Sequence, residues 1–380
     1  MIRSTPSTRG RRAAMAGVVG GLALAVAACG SGANGSGGGA TSSGDVTKAK
    51  ALLAKYSKVP TAINQKAALP KPAPSGKKII YLQQNGVPSI VAIGDAVQQA
   101  ASDLGWSLSR INYDPSSPAS LQNAFSSALV QKPDAVMVTG LAPDLYGQAV
   151  INDYQKAGIP IIVGAAGPVT NTATILGTAA SPDSSAFAAR RLADWFVADS
   201  NGAGKALFVH IGSFTTLAAE AKSLADETSS LCPGCSIKTL NVTLDQVSSG
   251  QVPAAVVSAL QADPSIGYVL YDDGDWAGGI TAALKAAGMS KIKVAGVTAT
   301  AEQFQALQSG TQSAWTGYNF AYNGYGLVDI AVRHFEGVPV TDGDSIMPTQ
   351  ILTPSNVGNT TSWTEPADAL AQFEKLWKIK

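Results

Sequence analysis

Three groups of residues in this 380-residue chain have the types and spacing to do chemistry. The first is Cys232-Pro233-Gly234-Cys235, a pair at the spacing used for dithiol redox exchange. A redox pair of that kind opens a helix after a strand. Here it follows a helical stretch, 217–231, and precedes an expected strand, 236–242. That order favours a structural disulfide between Cys232 and Cys235 closing a turn in an exported protein. Two thiols are too few for a closed zinc site. The second group, Asp272-Asp273-Gly274-Asp275, matches a calcium loop only in outline. Ala277 stands at the next oxygen position and no glutamate closes the loop, so an acidic turn or part of a solute pocket is expected instead of a metal. The third group is the two histidines, His210 at a strand end and His334 in a helix, too far apart in the pattern to act together. No H-E-x-x-H, no phosphate-binding loop and no nucleophile elbow in the body accompanies them. The residues therefore predict binding without a catalytic site, a metal or a cofactor.

The N-terminus supplies an address. Arg3, Arg9, Arg11 and Arg12 precede an uncharged stretch, 13–28, in the layout of an export signal. The stretch is short and rich in Ala and Gly, which favours cleavage over a membrane anchor. Val26-Ala27-Ala28-Cys29-Gly30 looks like a bacterial lipobox, which implies that residues 1–28 are removed and that Cys29 is lipidated. Arg11-Arg12 leaves twin-arginine export open beside the general route. Residues 30–44 contain no apolar side chain larger than alanine and read as a flexible tether, so 29–75 is expected to hold a tether and a short helix at 46–58. Without the signal, 23 basic residues face 26 acidic ones. No basic stripe remains to neutralise phosphates, which excludes nucleic acid as a partner. A hydrophobic content of 46% with small net charge excludes wholesale disorder. No later stretch approaches the ~20 apolar residues of a membrane span.

The elements that must position the polar residues alternate regularly. Short apolar β-rich runs at 79–82, 135–139, 160–164, 206–210, 268–271 and 294–298 are separated by helical stretches at 90–104, 121–131, 145–157, 184–198, 254–261 and 276–287. This is the pattern of βαβ units with parallel sheets covered on both faces. Such units over roughly 300 residues exceed one compact domain and predict two similar α/β lobes, each a doubly wound parallel sheet. Ligands of open α/β sheets bind beyond the carboxyl ends of the strands. The ligand-binding candidates are therefore Asn85, Ser89 and Ile90, then Thr139, Ala165, Phe214, Asp273, Trp276, Thr298, Tyr318 and Asn319. Asp275 is expected to cap the helix at 276–287, and Phe320 and Tyr322 fit core or pocket equally.

Between about Lys77 and Met347 the chain resembles the type I periplasmic binding proteins, in particular the ribose/galactose-like sugar receptors of ABC transporters. The resemblance is carried by KKIIYLQ, DAVQQAASDLGW, KPDAVMVTGLAPD, AGIPIIVG, IGYVLYDDGDWAGGITAALKAAG and IKVAGVT. It implies three hinge crossings near 178–179, 317–318 and 350–351. The N-terminal lobe is then 76–178 plus 318–350, the C-terminal lobe 179–317 plus 351–380, and the lobes close by hinge motion around one small solute. It also implies a monomer held at the outer face of the cytoplasmic membrane by its lipid anchor. The implied partner is an ABC permease whose ATPase, and not this chain, binds ATP.

The pocket departs from the sugar receptors in one direction. By the resemblance, two ring-stacking aromatics correspond to Ser89 and Ile90, and a ligand-binding asparagine to Thr139. An Asp-Arg clamp falls on Ala165-Ala166, an arginine near Glu220-Ala221, and a later asparagine and aspartate on Asp273 and Thr298. Lost arginines and retained acids disfavour an anionic ligand. Asp273 and Asp275 with Phe214, Trp276, Tyr318, Phe320 and Tyr322 could cage a cation or an amine-bearing solute. The resemblance implies a sugar or polyol, while the residues point to an atypical neutral or cationic solute. A receptor delivering that solute to an importer is the leading expectation. A receptor signalling through a membrane partner is the alternative, and an enzyme of unknown reaction the remoter one. The lac-repressor family shares the body fold but begins with a basic helix-turn-helix, where this chain has an export signal.

Overall fold

A computed structural model describes residues 43–380 apart from 116, 168, 213–214 and 340–345. The expected signal segment 1–28, Cys29, nearly all of the expected tether and Phe214 lie outside the described residues. Among the described residues no helix is long and apolar enough to cross a membrane.

A first helix, α1 (Ser43–Tyr56), precedes a five-stranded sheet of β1 (Lys78–Gln84), β2 (Ser107–Tyr113), β3 (Ala135–Thr139), β4 (Ile161–Gly164) and β5 (Ile175–Ala179). The sheet is parallel throughout, in the order β2-β1-β3-β4-β5. Helices α2 (Pro88–Asp103), α3 (Pro118–Val130) and α4 (Gln148–Ala157) link the first four strands. Along β1 the period of two sends Ile79 and Tyr81 into one core and Ile80 and Leu82 into another, so both faces are covered. Local chemistry sets the helix ends. Ser117 accepts from the Ser120 N–H at the start of α3, and Gly158, at φ 66°, ends α4 in the left-handed conformation that glycine adopts freely.

The second sheet has the order β11-β10-β9-β8-β6-β7. It is built from β6 (Lys205–His210), β7 (Ser236–Asn241), β8 (Tyr268–Tyr271), β9 (Lys293–Gly296) and β10 (Ala314–Thr316), all parallel, with β11 (Ile351–Leu352) antiparallel to β10. Its helices are α5 (Pro182–Asp199), α6 (Thr215–Leu231), α7 (Leu244–Ser248), α8 (Val252–Ala262), α9 (Ile280–Ala286) and α10 (Ala301–Gln308). Again alternate residues divide: Leu207 and Val209 enter one core, Ala206 and Phe208 the other. A disulfide joins Cys232 to Cys235 in the turn between α6 and β7.

Four strands escape the sequence pattern. β2 is an edge strand whose alternating, half-exposed residues lack an apolar run, while β5, β10 and β11 are short pieces at lobe crossings. The expected helix 276–287 is also broken. A 3-10 turn, Gly274–Ala277, is followed by Gly278 and Gly279, and α9 starts only at Ile280, because Gly279 takes φ 74°.

The chain passes between lobes where β5 leads to α5, where β10 leads to α11 (Phe320–Phe335), and again on entry to β11. Two further passages accompany these. Helix α1 sets Ala49 into a core of the second lobe, after which Ile63 and Leu69 enter a core of the first. Val357 and Trp363 pack in the second lobe, whereas Ala369, Phe373 and Trp377, in and beside α12 (Ala369–Leu376), pack in the first. The expected C-terminal lobe ran to residue 380. The apolar stripe of α12 instead buries against α11, which corrects that boundary.

Gln350 ties the passages together. Its carbonyl accepts from the Gly317 N–H at 2.9 Å, its Nε2 donates to Ser57 O at 2.9 Å, and its Oε1 accepts from Trp363 Nε1 at 2.9 Å. On the first lobe, Asp329 accepts from Arg333 Nε at 2.7 Å and from Trp377 Nε1 at 2.8 Å, while Arg333 Nη2 donates to Ala67 O. Both charges are almost wholly buried. Truncating one partner of a buried pair leaves the other uncompensated, so Asp329→Ala is expected to cost about 3–5 kcal/mol of unfolding free energy. The double variant Asp329→Leu, Arg333→Met is expected to recover most of it in chemical denaturation. A loss under 1 kcal/mol in the single variant would refute the account.

Candidate functional site

On the first lobe the strand exits divide between structural and exposed roles. The Tyr81 hydroxyl lies 2.7 Å from Thr139 Oγ1 and donates to Ile90 O at 3.2 Å, all three groups being buried. Thr139 therefore spends its hydroxyl inside the lobe, and Ile90 is a core residue. Asn85 is exposed in the turn before α2, with its N–H on Tyr113 O at 2.9 Å. Ala165 follows β4 at φ 48°, a left-handed conformation that aims its N–H at Ala179 O, 2.8 Å away. Ser89, in the first turn of α2, lines a cavity of about 380 Å³.

That cavity draws on both lobes. Ser89 and Ala92 face it from α2, Asp275, Thr300 and Phe304 from the second lobe, and Tyr318, Phe320 and Trp363 from the passages between. Two expected ligand residues, Ser89 and Tyr318, thus meet across it. Asn319 does not join them. Its Oδ1 accepts from Tyr322 N at 3.0 Å, capping α11, and its Nδ2 donates to Glu365 O at 3.2 Å. Tyr322 is core, hydrogen-bonded through its hydroxyl to Gln65 and Asn64.

Beside the cavity the second lobe gathers carboxyls. Asp272, at the end of β8, accepts from the Ile211 N–H at 3.0 Å and pairs with His210 Nδ1 at 2.8 Å, fastening the exits of β6 and β8 together. Asp273 accepts from the Asp275 N–H at 2.9 Å and caps the 3-10 turn. The expected cap, Asp275, is thereby corrected: its carboxyl is exposed and lines the cavity because the turn starts two residues earlier. Gly274 donates to Thr298 O at 3.1 Å, and a Cβ there would sit 2.4 Å from that oxygen, so the approach requires glycine. Thr298 answers with φ 59°, an uncommon state for a β-branched residue, held by its N–H on Thr316 Oγ1. Trp276 is half-buried against a core of the second lobe.

Glu220, on α6, is 4% exposed and its Oε2 has no hydrogen-bond partner among the described residues. Burial pushes its carboxyl well above the usual carboxylate range, helped by the charges of Asp272 and Asp273, while the Ser185 hydroxyl opposes the shift. Asp273 is raised for the same reasons, burial first and then Asp275 and Asp272. Tyr318, whose hydroxyl accepts from Asn323 Nδ2 at 3.3 Å, feels both Asp273 and Glu220. Tyr318 thus joins the cavity to the carboxyl cluster. Glu220, Asn323 and Trp363 were not among the sequence candidates. The signal for Glu220 was its place on α6, where the resemblance puts an arginine, and nothing in the sequence brings Trp363 to the strand exits.

A carboxyl raised on folding holds its proton longer in the folded chain than in the unfolded one. Stability is then greatest below the unfolded value of about 4.3 and is lost as pH rises through the folded value. Glu220→Gln is expected to flatten this decline and to raise the melting temperature at pH 8. A variant profile parallel to the parent from pH 4 to 8 would show that Glu220 carries no such strain.

The periplasmic binding protein domain matches residues 79–338. No curated protein sequence matches the chain. Among solved structures, the 5-methylthioribose transporter solute binding protein from Thermotoga lettingae TMO, in complex with 5-methylthioribose, is 19% identical with a TM-score of 0.64, covering 82% of this chain and 100% of that one. The periplasmic ribose ABC transporter from Conexibacter woesei is 18% identical with a TM-score of 0.64, covering 75% and 95%. An ABC transporter solute binding protein from Agrobacterium vitis with bound allitol is 20% identical with a TM-score of 0.61, covering 74% and 97%. At these identities the likeness is one of fold, and it is the type I fold of two parallel-sheet lobes. Because the domain match spans well over half of the chain and the lobes meet at their strand exits as that fold requires, the chain belongs to the periplasmic binding protein family.

Proposed function

We propose that this protein is the extracytoplasmic solute-binding component of an ABC importer, capturing one small carbohydrate-class solute between its lobes and presenting it to the permease. The observation that carries the reading is the cavity lined from both lobes and from the passages between them. Its volume of about 380 Å³ falls in the range of small-molecule sites. Ser89 and Thr300 offer hydroxyls, and Tyr318, Phe320 and Trp363 offer apolar rings, a mixture that suits a compact polyhydroxylated solute. Relatives of the same fold bind 5-methylthioribose and allitol, which supports the solute class without fixing the solute.

Capture requires the lobes to move as bodies about the passages. A ligand touching both lobes favours the arrangement in which both sets of contacts are made. Asp273, Tyr318 and Ser89 are the side chains we assign to the solute, with Thr298 and Ala165 shaping the strand exits by their left-handed backbone. Lipidation of Cys29 after removal of residues 1–28 would hold this body at the outer face of the membrane, near the permease.

Thermal unfolding of the full chain against pentoses, hexoses, alditols and amino sugars tests the reading. A ligand at 100 times its Kd adds about 2.7 kcal/mol and raises the melting temperature clearly. Ser89→Trp, which fills the cavity from α2, is expected to abolish that rise while leaving the unliganded unfolding free energy within about 0.5 kcal/mol of the parent. A ligand-induced rise that survives Ser89→Trp would place the solute elsewhere. The anchor is tested separately: cells fed a labelled fatty acid should mark the parent chain and not Cys29→Ala, and equal labelling of both would discard lipidation at that residue.

A further inference from the structure

The carboxyls beside the cavity are arranged for more than structure. Glu220 is 4% exposed, and Asp272 and Asn323 are fully buried. Among the described residues each nevertheless keeps one side-chain oxygen without a hydrogen-bond partner: Glu220 Oε2, Asp272 Oδ1 and Asn323 Oδ1. Asn323 is the independent member. It is an amide on α11, packed with the first lobe, and its Nδ2 holds the hydroxyl of Tyr318, the ring shared by cavity and cluster. A Cβ at Gly164 would lie 3.0 Å from its Oδ1, which fixes that oxygen at the exit of β4. Three buried acceptors from opposite lobes thus face the strand exits in want of donors.

The charges around them share one sign. Glu220 is acted on by Asp272 and Asp273, Asp273 by Asp275 and Asp272, and Tyr318 by Asp273 and Glu220. From the neighbouring elements the facing groups are Ser185 of α5, which hydrogen-bonds Glu220, and His210 at the end of β6, which is bound to Asp272. Among the described residues no lysine or arginine acts on Glu220, Asp273 or Tyr318. A carboxylate or phosphate ligand would add like charge to this set, without a counter-charge, in a desolvated place. A neutral polyol would meet the carboxyls in their protonated form and give them no reason to ionise. An ammonium group supplies three donors and cancels the charge as well.

We propose that the solute carries a protonated amine on a carbohydrate-sized skeleton, received by Glu220 and Asp273 on the second lobe, with Tyr318 and Asn323 completing the site from the first. The inference rests on the reading of the cleft as a solute-binding site. It assigns Glu220 and Asp273 as the residues that set specificity by charge. It also makes binding proton-linked. Carboxyls that hold protons in the free protein release them to receive a cation, so affinity for an amine rises with pH, while affinity for a neutral solute does not.

Isothermal titration of the full chain with two matched sets tests this: D-glucose, D-glucosamine and D-glucuronate, and D-glucitol, 1-amino-1-deoxy-D-glucitol and D-gluconate. In at least one set the amine is expected to bind about tenfold or more tighter than its neutral partner, as a charge-assisted contact requires. It should tighten from pH 5.5 to pH 7 and release protons in buffers of different ionisation enthalpy. Glu220→Gln and Asp273→Asn should each remove the preference for the amine, and the melting profile of Glu220→Gln separates lost binding from lost folding. Neutral members binding as well as the amines, or carboxylates binding better, would overturn the amine and leave the solute-binding reading standing. Silence from all six compounds would overturn the amine on these skeletons and count against the solute-binding reading as well.

Discussion

In a parallel sheet covered on both faces, each strand is hydrogen-bonded and buried along its length, so the chain can offer polar groups to a ligand only where strands end. The cores on either face of β1 and of β6 enforce that constraint here. The exits carry its consequences. Ala165 and Thr298 take left-handed backbone one and two residues after β4 and β9, and Gly274 closes on Thr298 O where no side chain would fit. Such backbone is tolerated at these exits because the strand ladder no longer fixes the chain there.

The same constraint makes the passages between lobes the place where the two halves influence each other. Gln350 is buried and engages Gly317, Ser57 and Trp363 at once, so passages far apart in sequence share one side chain. The segment after α1 and the segment before α12 run beside the expected crossings and carry apolar anchors on both sides. Asp329 and Arg333 fasten the first-lobe ends of those segments to α11. Any motion of the lobes has to bend several strands of chain together, which favours a hinge with a defined axis over a loose joint.

Electrostatics at the cleft run against stability. Glu220, Asp272 and Asp273 are crowded and desolvated, and such groups cost folding free energy unless something compensates them. His210 and the Ile211 N–H satisfy one oxygen of Asp272, and the Asp275 N–H satisfies Asp273 in part. The remaining acceptors break the rule that buried polar groups are paired, and departures of that kind collect at functional sites.

Much of this architecture was written locally. Continuous apolar runs separated by helical stretches determine parallel α/β lobes, since a strand such as 135–139 has no polar face to turn to water. Strand-end arithmetic likewise reached Ser89 and Tyr318, because the place where an apolar run stops is visible in one dimension. The same arithmetic also picked Ile90, Thr139 and Asn319, and nothing in the sequence says that Tyr81 occupies Thr139 or that Asn319 caps α11. Nor does it show that α12 belongs with the first lobe, that Trp363 reaches the cavity, or that Glu220 faces Asp273. Sequence records which side chains are apolar and where runs end, because those properties act within a few residues. Which polar groups meet depends on contacts between elements tens to hundreds of residues apart, and only the packed lobes decide that.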